Sequence, residues 1–182
     1  MSPRRTVADV LAAAQRLGTL GDRPIPEVIE HARRFVAALD GVTGRVIDIG
    51  TGAGVPGLVI AEDRPDLELV LADRRETRMD ALRLAVAGLG WSDRVSVLTR
   101  DIADLGRDPQ HADRYSAVVC RGFGSPGVTA PLARPLLKNG GILIVSEPPS
   151  QDPERWSEEW LQGVGFGAPE HLSGVVRIPA KP

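Results

Sequence analysis

Val46-Ile47-Asp48-Ile49-Gly50-Thr51-Gly52-Ala53-Gly54-Val55-Pro56-Gly57, with Asp73 closing the next apolar run, is a β-branched segment that breaks into alternating glycines and opens a helix. A strand, turn and helix of this kind let backbone amides approach a ligand closely and aim a helix N-terminus at negative charge. Pro56 suits the first helical turn, where its missing N–H costs nothing. The stretch reads as a nucleotide-cofactor site.

Outward from it, apolar runs alternate with helical patterns. The spacing predicts strand 45–49, helix 55–62, strand 67–72, helix 75–89, strand 94–98, strand 116–120, helix 126–137 and strand 141–145. Such alternation predicts an α/β fold, a doubly wound Rossmann-like parallel sheet covered on both faces, with ligands beyond the strands' C-terminal ends. Before it, 7–17 and 27–39 read as helices, the first with Thr6 as N-cap and Asp9 three residues on, the second with Val28, Ala32, Phe35 and Leu39 in one stripe. After it, Trp156 and Trp160 fall in a short helix, and 164–166 with 174–178 predict an antiparallel C-terminal strand pair. One domain over 1–182 is expected, with 1–44 as a helical cap over the loop and 45–182 as the α/β core.

The 182 residues carry a formal net charge of -2, so nucleic-acid contact would need a local basic patch. Cys120 is the single cysteine, which excludes a disulfide framework and a cysteine-rich zinc site and fits a reducing, cytoplasmic setting. No metal site is expected. The segment from Met1 to Arg16 is too polar for a signal core, and no later stretch approaches membrane-spanning length.

Gly52-x-Gly54-x-x-Gly57 matches the dinucleotide fingerprint in form, but the glycine that directly follows the strand is Gly50, and in that frame Val55 stands where the third glycine belongs. Asp48, two residues before Gly50, would repel a pyrophosphate and suit an ammonium group. S-adenosylmethionine has an amino-acid end, a sulfonium and a ribose. A loop offering amides, a nearby acid and the distal Asp73 for ribose hydroxyls matches it in kind. Asp73 can equally cap the helix that follows, and Asp101, after the third strand, can face an adenine amino group or simply form a turn. Ile102 would then stack on the adenine.

Asp48-Ile49-Gly50-Thr51-Gly52-Ala53-Gly54-Val55-Pro56-Gly57-Leu58 resembles the first motif of class I methyltransferases, and its Val-Pro-Gly-Leu ending is similar to that of the bacterial 16S rRNA guanine-N7 methyltransferase G family. Cys120-Arg121-Gly122-Phe123 resembles that family's Ser-Arg-Ala-Phe, and His31 answers to a histidine before the first strand. The resemblance covers roughly 25 to 147. It implies S-adenosylmethionine held by Asp48, Gly50, Thr51, Gly52, Gly54, Asp73, Arg74, Asp101, Ile102 and Arg121, with Arg121 and His31 as catalytic candidates. The implied partner is 16S rRNA or the small ribosomal subunit. Several family positions differ: a lysine after the ribose acid is Thr77, with Arg78 beside it; a lysine-glycine pair closing the fifth strand is Ser146-Glu147; and an aspartate three residues after the histidine is Arg34.

Guanine N7 carries a free lone pair, so its methylation needs positioning rather than a general base. A hydroxyl acceptor would need a base, and His31 is the only histidine before the sheet. Arg74, Arg75, Arg78 and Arg83 form the one visible basic helix face. Two alternatives stay open: a small-molecule methyltransferase on the same scaffold, and a non-catalytic S-adenosylmethionine-binding protein.

Overall fold

A computed structural model describes residues 5–148 and 152–182; the expectation for the extreme N-terminus falls partly on residues outside them. Two helices, α1 (Val7–Arg16) and α2 (Ile25–Ala38), precede β1 (Arg45–Ile49), α3 (Gly57–Asp63), β2 (Glu68–Asp73), α4 (Glu76–Leu89), β3 (Val95–Thr99), the single turn α5 (Ile102–Leu105), β4 (Tyr115–Cys120), α6 (Pro126–Ala133), β5 (Leu137–Ser146), α7 (Glu158–Gly163), β6 (Glu170–Leu172) and β7 (Val175–Pro179). The seven strands run in the order β3-β2-β1-β4-β5-β7-β6. The first five are parallel, while β7 lies antiparallel to both β5 and β6.

Strand alternation sorts the core onto the two faces. Val46, Leu69, Leu71 and Val119 pack with α1 to α4, and Ile47, Ile49, Val70 and Val118 pack with α5, α6, Trp156 and Leu161. The N-terminal helices share the first of these cores: Val10, Leu11, Ala32 and Phe35 are buried in it. Thr6 caps α1 in a reciprocal box, its hydroxyl accepting from the Asp9 N–H while Asp9 Oδ2 accepts from the Thr6 N–H at 2.9 Å.

Several boundaries move, and the fifth strand begins at Leu137 rather than 141. The helix after the glycines starts at Gly57 rather than 55, because residues 51–55 are spent on turns: Thr51 O accepts from the N–H of Gly54 and of Val55. The expected helix 126–137 ends at Ala133 in a short 3₁₀ turn over Arg134–Leu136 that contains Pro135. In the tail, 164–166 is not a strand. A two-residue turn at Ser173-Gly174, where Gly174 has φ +74°, pairs Leu172 with Val175, so β6 supplies the edge strand. Phe166 instead fills the core and makes one bridge to Ala180. The single turn α5, capped by the Asp101 carboxylate, is too short to show a periodicity in the sequence.

Candidate functional site

The glycine loop is held from below. Asp48 is fully buried at the end of β1; its Oδ2 accepts from the Thr51 hydroxyl at 2.7 Å and from the Gly57 N–H at 2.8 Å. Oδ1 has no partner among the described residues. Asp73 holds the loop from the side, Oδ2 accepting from the Gly52 N–H at 3.0 Å and Oδ1 from the Arg75 N–H at 3.1 Å. Asp73 therefore ties the loop to the start of α4. A carboxylate with about four lone-pair directions still has acceptors left for a ligand's hydroxyls. Gly50, Gly52 and Gly54 have φ of +66°, +56° and +96°, a backbone region that L side chains rarely adopt.

Burial is the main cause that raises the Asp48 carboxyl from 3.8 to about 7, against the opposing pull of its bonds to Thr51 and Gly57 and of the Arg121 charge. An unfolded Asp48 ionises near 3.8, so between there and about 7 the unfolded chain has released a proton that the folded protein keeps. Rising pH thus costs stability across that window and none above it. Asp48→Asn escapes this cost: its stability relative to wild type is expected to grow by about 2–4 kcal/mol between pH 4 and pH 7 and then level off. Chemical denaturation at half-unit pH steps checks it, and a flat difference would place the carboxyl in its ordinary range.

Two cavities open beyond the strands' C-terminal ends. The first, about 350 Å³, is bordered by Gly50, Asp73, Arg74, Arg75, Arg100, Asp101, Ile102 and, from the loop after β4, Gly122 and Phe123, with Val128 and Leu132 of α6. The carboxylates of Asp73 and Asp101 suit hydroxyl and amino donors, and Ile102, Phe123, Val128 and Leu132 supply apolar walls for a flat ring. This set fits one nucleoside bearing a short charged chain. Phe123 lies directly over Gly50, where an added Cβ would stand 2.6 Å from the ring.

Of the residues expected to bind cofactor, the structure brings Gly50, Asp73, Arg74, Asp101 and Ile102 together in this cavity. Asp48 and Thr51 lie beneath the loop and Gly54 is buried against Leu58 and Leu82, so these shape the loop. Gly52 engages Asp73 through its N–H. Asp101 also caps α5 through the Ala103 N–H at 2.9 Å.

The second cavity, about 910 Å³, holds the two expected catalytic residues, Arg121 and His31. Arg121 borders this cavity and not the first. Around it stand Arg23, Glu27, Glu30 and Arg34 from α2 and the segment before it, Glu147 and Arg155, and Ser173 and Gly174 from the tail. Gly122 borders both cavities. Burial, then the charges of Arg34, Arg121 and Arg23, hold the His31 imidazole below its usual value of 6.5, so it is neutral at pH 7. Burial also pulls the Arg121 guanidinium down from 12.5, yet that residue stays charged.

The basic face expected on α4 divides. Arg74 and Arg75 border the first cavity, Arg78 lies against α1 in a small apolar cavity, and Arg83 is engaged by Asp80 and the Thr99 hydroxyl. Arg75 was read only as part of a basic helix face, and Gly122 and Phe123 only as part of the motif around Arg121; Arg100 escaped the sequence reading, although it follows the C-terminal end of a parallel strand, and that position was the available signal. Arg23, Arg155, Ser173 and Gly174 had no such signal. Trp156 and Trp160, expected in one short helix, are divided: Trp156 ends a 3₁₀ turn (Pro153–Trp156), is buried and donates its indole N–H to Glu147, whereas Trp160 lies in α7 and is 37% exposed.

Comparison with known proteins adds a family. The model described as rRNA small subunit methyltransferase G matches residues 8–154. A protein of that name from Rubrobacter xylanophilus is 30% identical over 178 residues, covering 95% of this chain and 67% of its own length. Its namesake from Moorella thermoacetica is 32% identical over 127 residues, 70% of this chain and 52% of its own; the chain thus spans about half to two thirds of such relatives. Among solved structures, a putative S-adenosyl-L-methionine-dependent methyltransferase from Methanococcus maripaludis superposes with a TM-score of 0.66 at 20% identity, covering 100% of this chain and 97% of that one. At that identity it speaks for the fold alone.

Proposed function

Because the chain belongs to the rRNA small subunit methyltransferase G family, we propose that it transfers a methyl group from S-adenosylmethionine to N7 of a guanine in small-subunit rRNA. The observation that carries this reading is the meeting of the two cavities at Gly122, which sets a nucleoside-sized site against an arginine-rimmed one. When bound, S-adenosylmethionine supplies an electrophilic methyl on a sulfonium. The chain's own residues hold and orient. Asp73 takes the ribose hydroxyls, Asp101 and Ile102 the adenine, and Gly50 offers close backbone approach; Asp48 beneath the loop holds the loop through Thr51 and Gly57 and, when ionised, favours a cationic group above it.

On the acceptor side no proton need be removed from N7, so catalysis is alignment. Methyl transfer leaves the base positive, and a cation beside it helps only by binding O6 or a phosphate. Arg121 takes that place. Neutral His31, one turn from Arg34 on α2, can hydrogen-bond a ribose or phosphate oxygen without adding charge. Arg23, Arg34, Arg121 and Arg155 of this cavity stand against Glu27, Glu30 and Glu147, and Arg74, Arg75 and Arg100 of the other against Asp73 and Asp101, so the cations available to RNA phosphates are individual arginines near Arg121 rather than a broad basic field. The reading places the work in the cytoplasm, on rRNA or the small subunit. Among the described residues no helix is long and apolar enough to cross a membrane.

The test supplies labelled S-adenosylmethionine with 16S rRNA and with small subunits, followed by nucleoside analysis. The expected product is 7-methylguanosine. Arg121→Ala is expected to lower kcat/KM by about 10²–10³ while cofactor affinity stays within about threefold. No transfer to either RNA substrate by protein that binds the cofactor would leave a small-molecule acceptor or a binding role.

A further inference from the structure

Glu147 follows β5 and borders the arginine-rimmed cavity, yet its side chain is only 7% exposed. Its Oε1 accepts from the Trp156 indole N–H at 2.7 Å, and the Arg155 Nε lies 3.8 Å from the same oxygen. Trp156 is itself buried, so the carboxylate is fixed from behind by a core residue. Oε2 accepts no hydrogen bond among the described residues. A nearly buried, anchored carboxylate with a spare oxygen at the wall of a cavity is an acceptor set for ligand donors.

Resting on the guanine-N7 reading above, we propose that Glu147 is the residue that selects guanine, by accepting from N1–H and the exocyclic N2 amino group of a base extruded into this cavity. Among the RNA bases only guanine offers two adjacent donors on that edge. Adenine and cytosine each pair a donor with a bare ring nitrogen, and uracil has one donor between two carbonyls. An enzyme that acts on an extruded base reads it on this edge. N7 lies on the opposite side of the purine, so gripping N1 and N2 turns the reactive nitrogen outward, with O6 between them for Arg121. Against each of the other bases the same carboxylate meets one donor beside a lone pair, so it loses the second hydrogen bond and gains a repulsion.

Inosine isolates the role of Glu147 from the methyl transfer itself because it keeps N7, O6 and N1–H and lacks only the N2 amino group, which takes no part in the chemistry. Once the methylated guanine has been mapped, 16S rRNA carrying a single inosine at that position is made by splinted ligation and compared with the guanine form. Wild type is expected to favour guanine by about tenfold or more in kcat/KM. Glu147→Gln, whose amide oxygen can still accept from Trp156, is expected to bring that ratio within about threefold, through loss on guanine and with cofactor affinity unchanged. A wild-type ratio near one, or a Glu147→Gln protein that keeps the wild-type ratio, overturns the role of Glu147 alone. Absence of any guanine methylation by wild type overturns the functional reading together with it.

Discussion

Asp73→Ala is expected to weaken binding of S-adenosylmethionine by about a hundredfold or more, and calorimetric titration measures it. Three losses coincide at that residue. The ribose hydroxyls lose a charged acceptor, worth about 1.5–3 kcal/mol, and each 1.4 kcal/mol is tenfold in affinity. The Gly52 and Arg75 N–H groups lose theirs as well, so the loop and the start of α4 are no longer tied to one side chain. Asp73→Asn keeps an acceptor but has an amide that cannot serve both N–H groups and a diol, and an intermediate loss of about tenfold is expected. A folded Asp73→Ala protein that binds within threefold of wild type would remove Asp73 from the cofactor site.

The second large effect falls on stability. Gly57→Ala puts a Cβ inside contact distance of the Leu71 side chain and 2.8 Å from Asp48 Oδ2. Leu71 is fully buried in β2, and Asp48 is fixed by Thr51 and by the Gly57 N–H itself, so neither has room to yield. Overpacking costs about 1–3 kcal/mol, and pushing the buried carboxylate off a donor adds about 1–3 kcal/mol. A loss of about 3–5 kcal/mol in denaturant unfolding is therefore expected. Less than 1 kcal/mol would mean that α3 slides away from the sheet freely. Gly57 thus serves the close approach of helix to sheet rather than contact with a ligand, the task of the third glycine in the dinucleotide pattern, reached here in a different frame.

The parallel sheet was legible because its strands are continuous apolar runs at regular intervals, and β1 falls on the residues expected for it. Asp73, Asp101 and Ile102 could be placed because a residue just beyond a parallel strand has few other places to go. Asp48 was legible as important but not in its role. Nothing in a sequence tells whether a carboxylate beside glycines points up at a ligand or down into their N–H groups, and here Oδ2 points down. The cavity around Arg121 was the least legible part. It joins α2, the end of β5 and the Ser173-Gly174 turn, which are far apart in sequence and share no spacing rule. Short elements such as β6 leave too few residues for a periodicity, and turn geometry chose the pairing there.

The antiparallel placement of β7 has a meaning for how such a protein can change over generations. Because β7 runs against β5, its beginning, rather than its end, meets the ligand edge, with Val175 beside Ser146. The far tail of the chain and its second helix thereby become facing walls of one chamber, while the repeated strand-helix units build the other. Inheritance can act on the two walls separately. Change in α2 and in the Ser173-Gly174 turn can retune what is accepted, while the stretch from β1 to β2, which carries the glycine loop and Asp73, is left as it is. A lineage built this way can acquire a new substrate without first surrendering its donor.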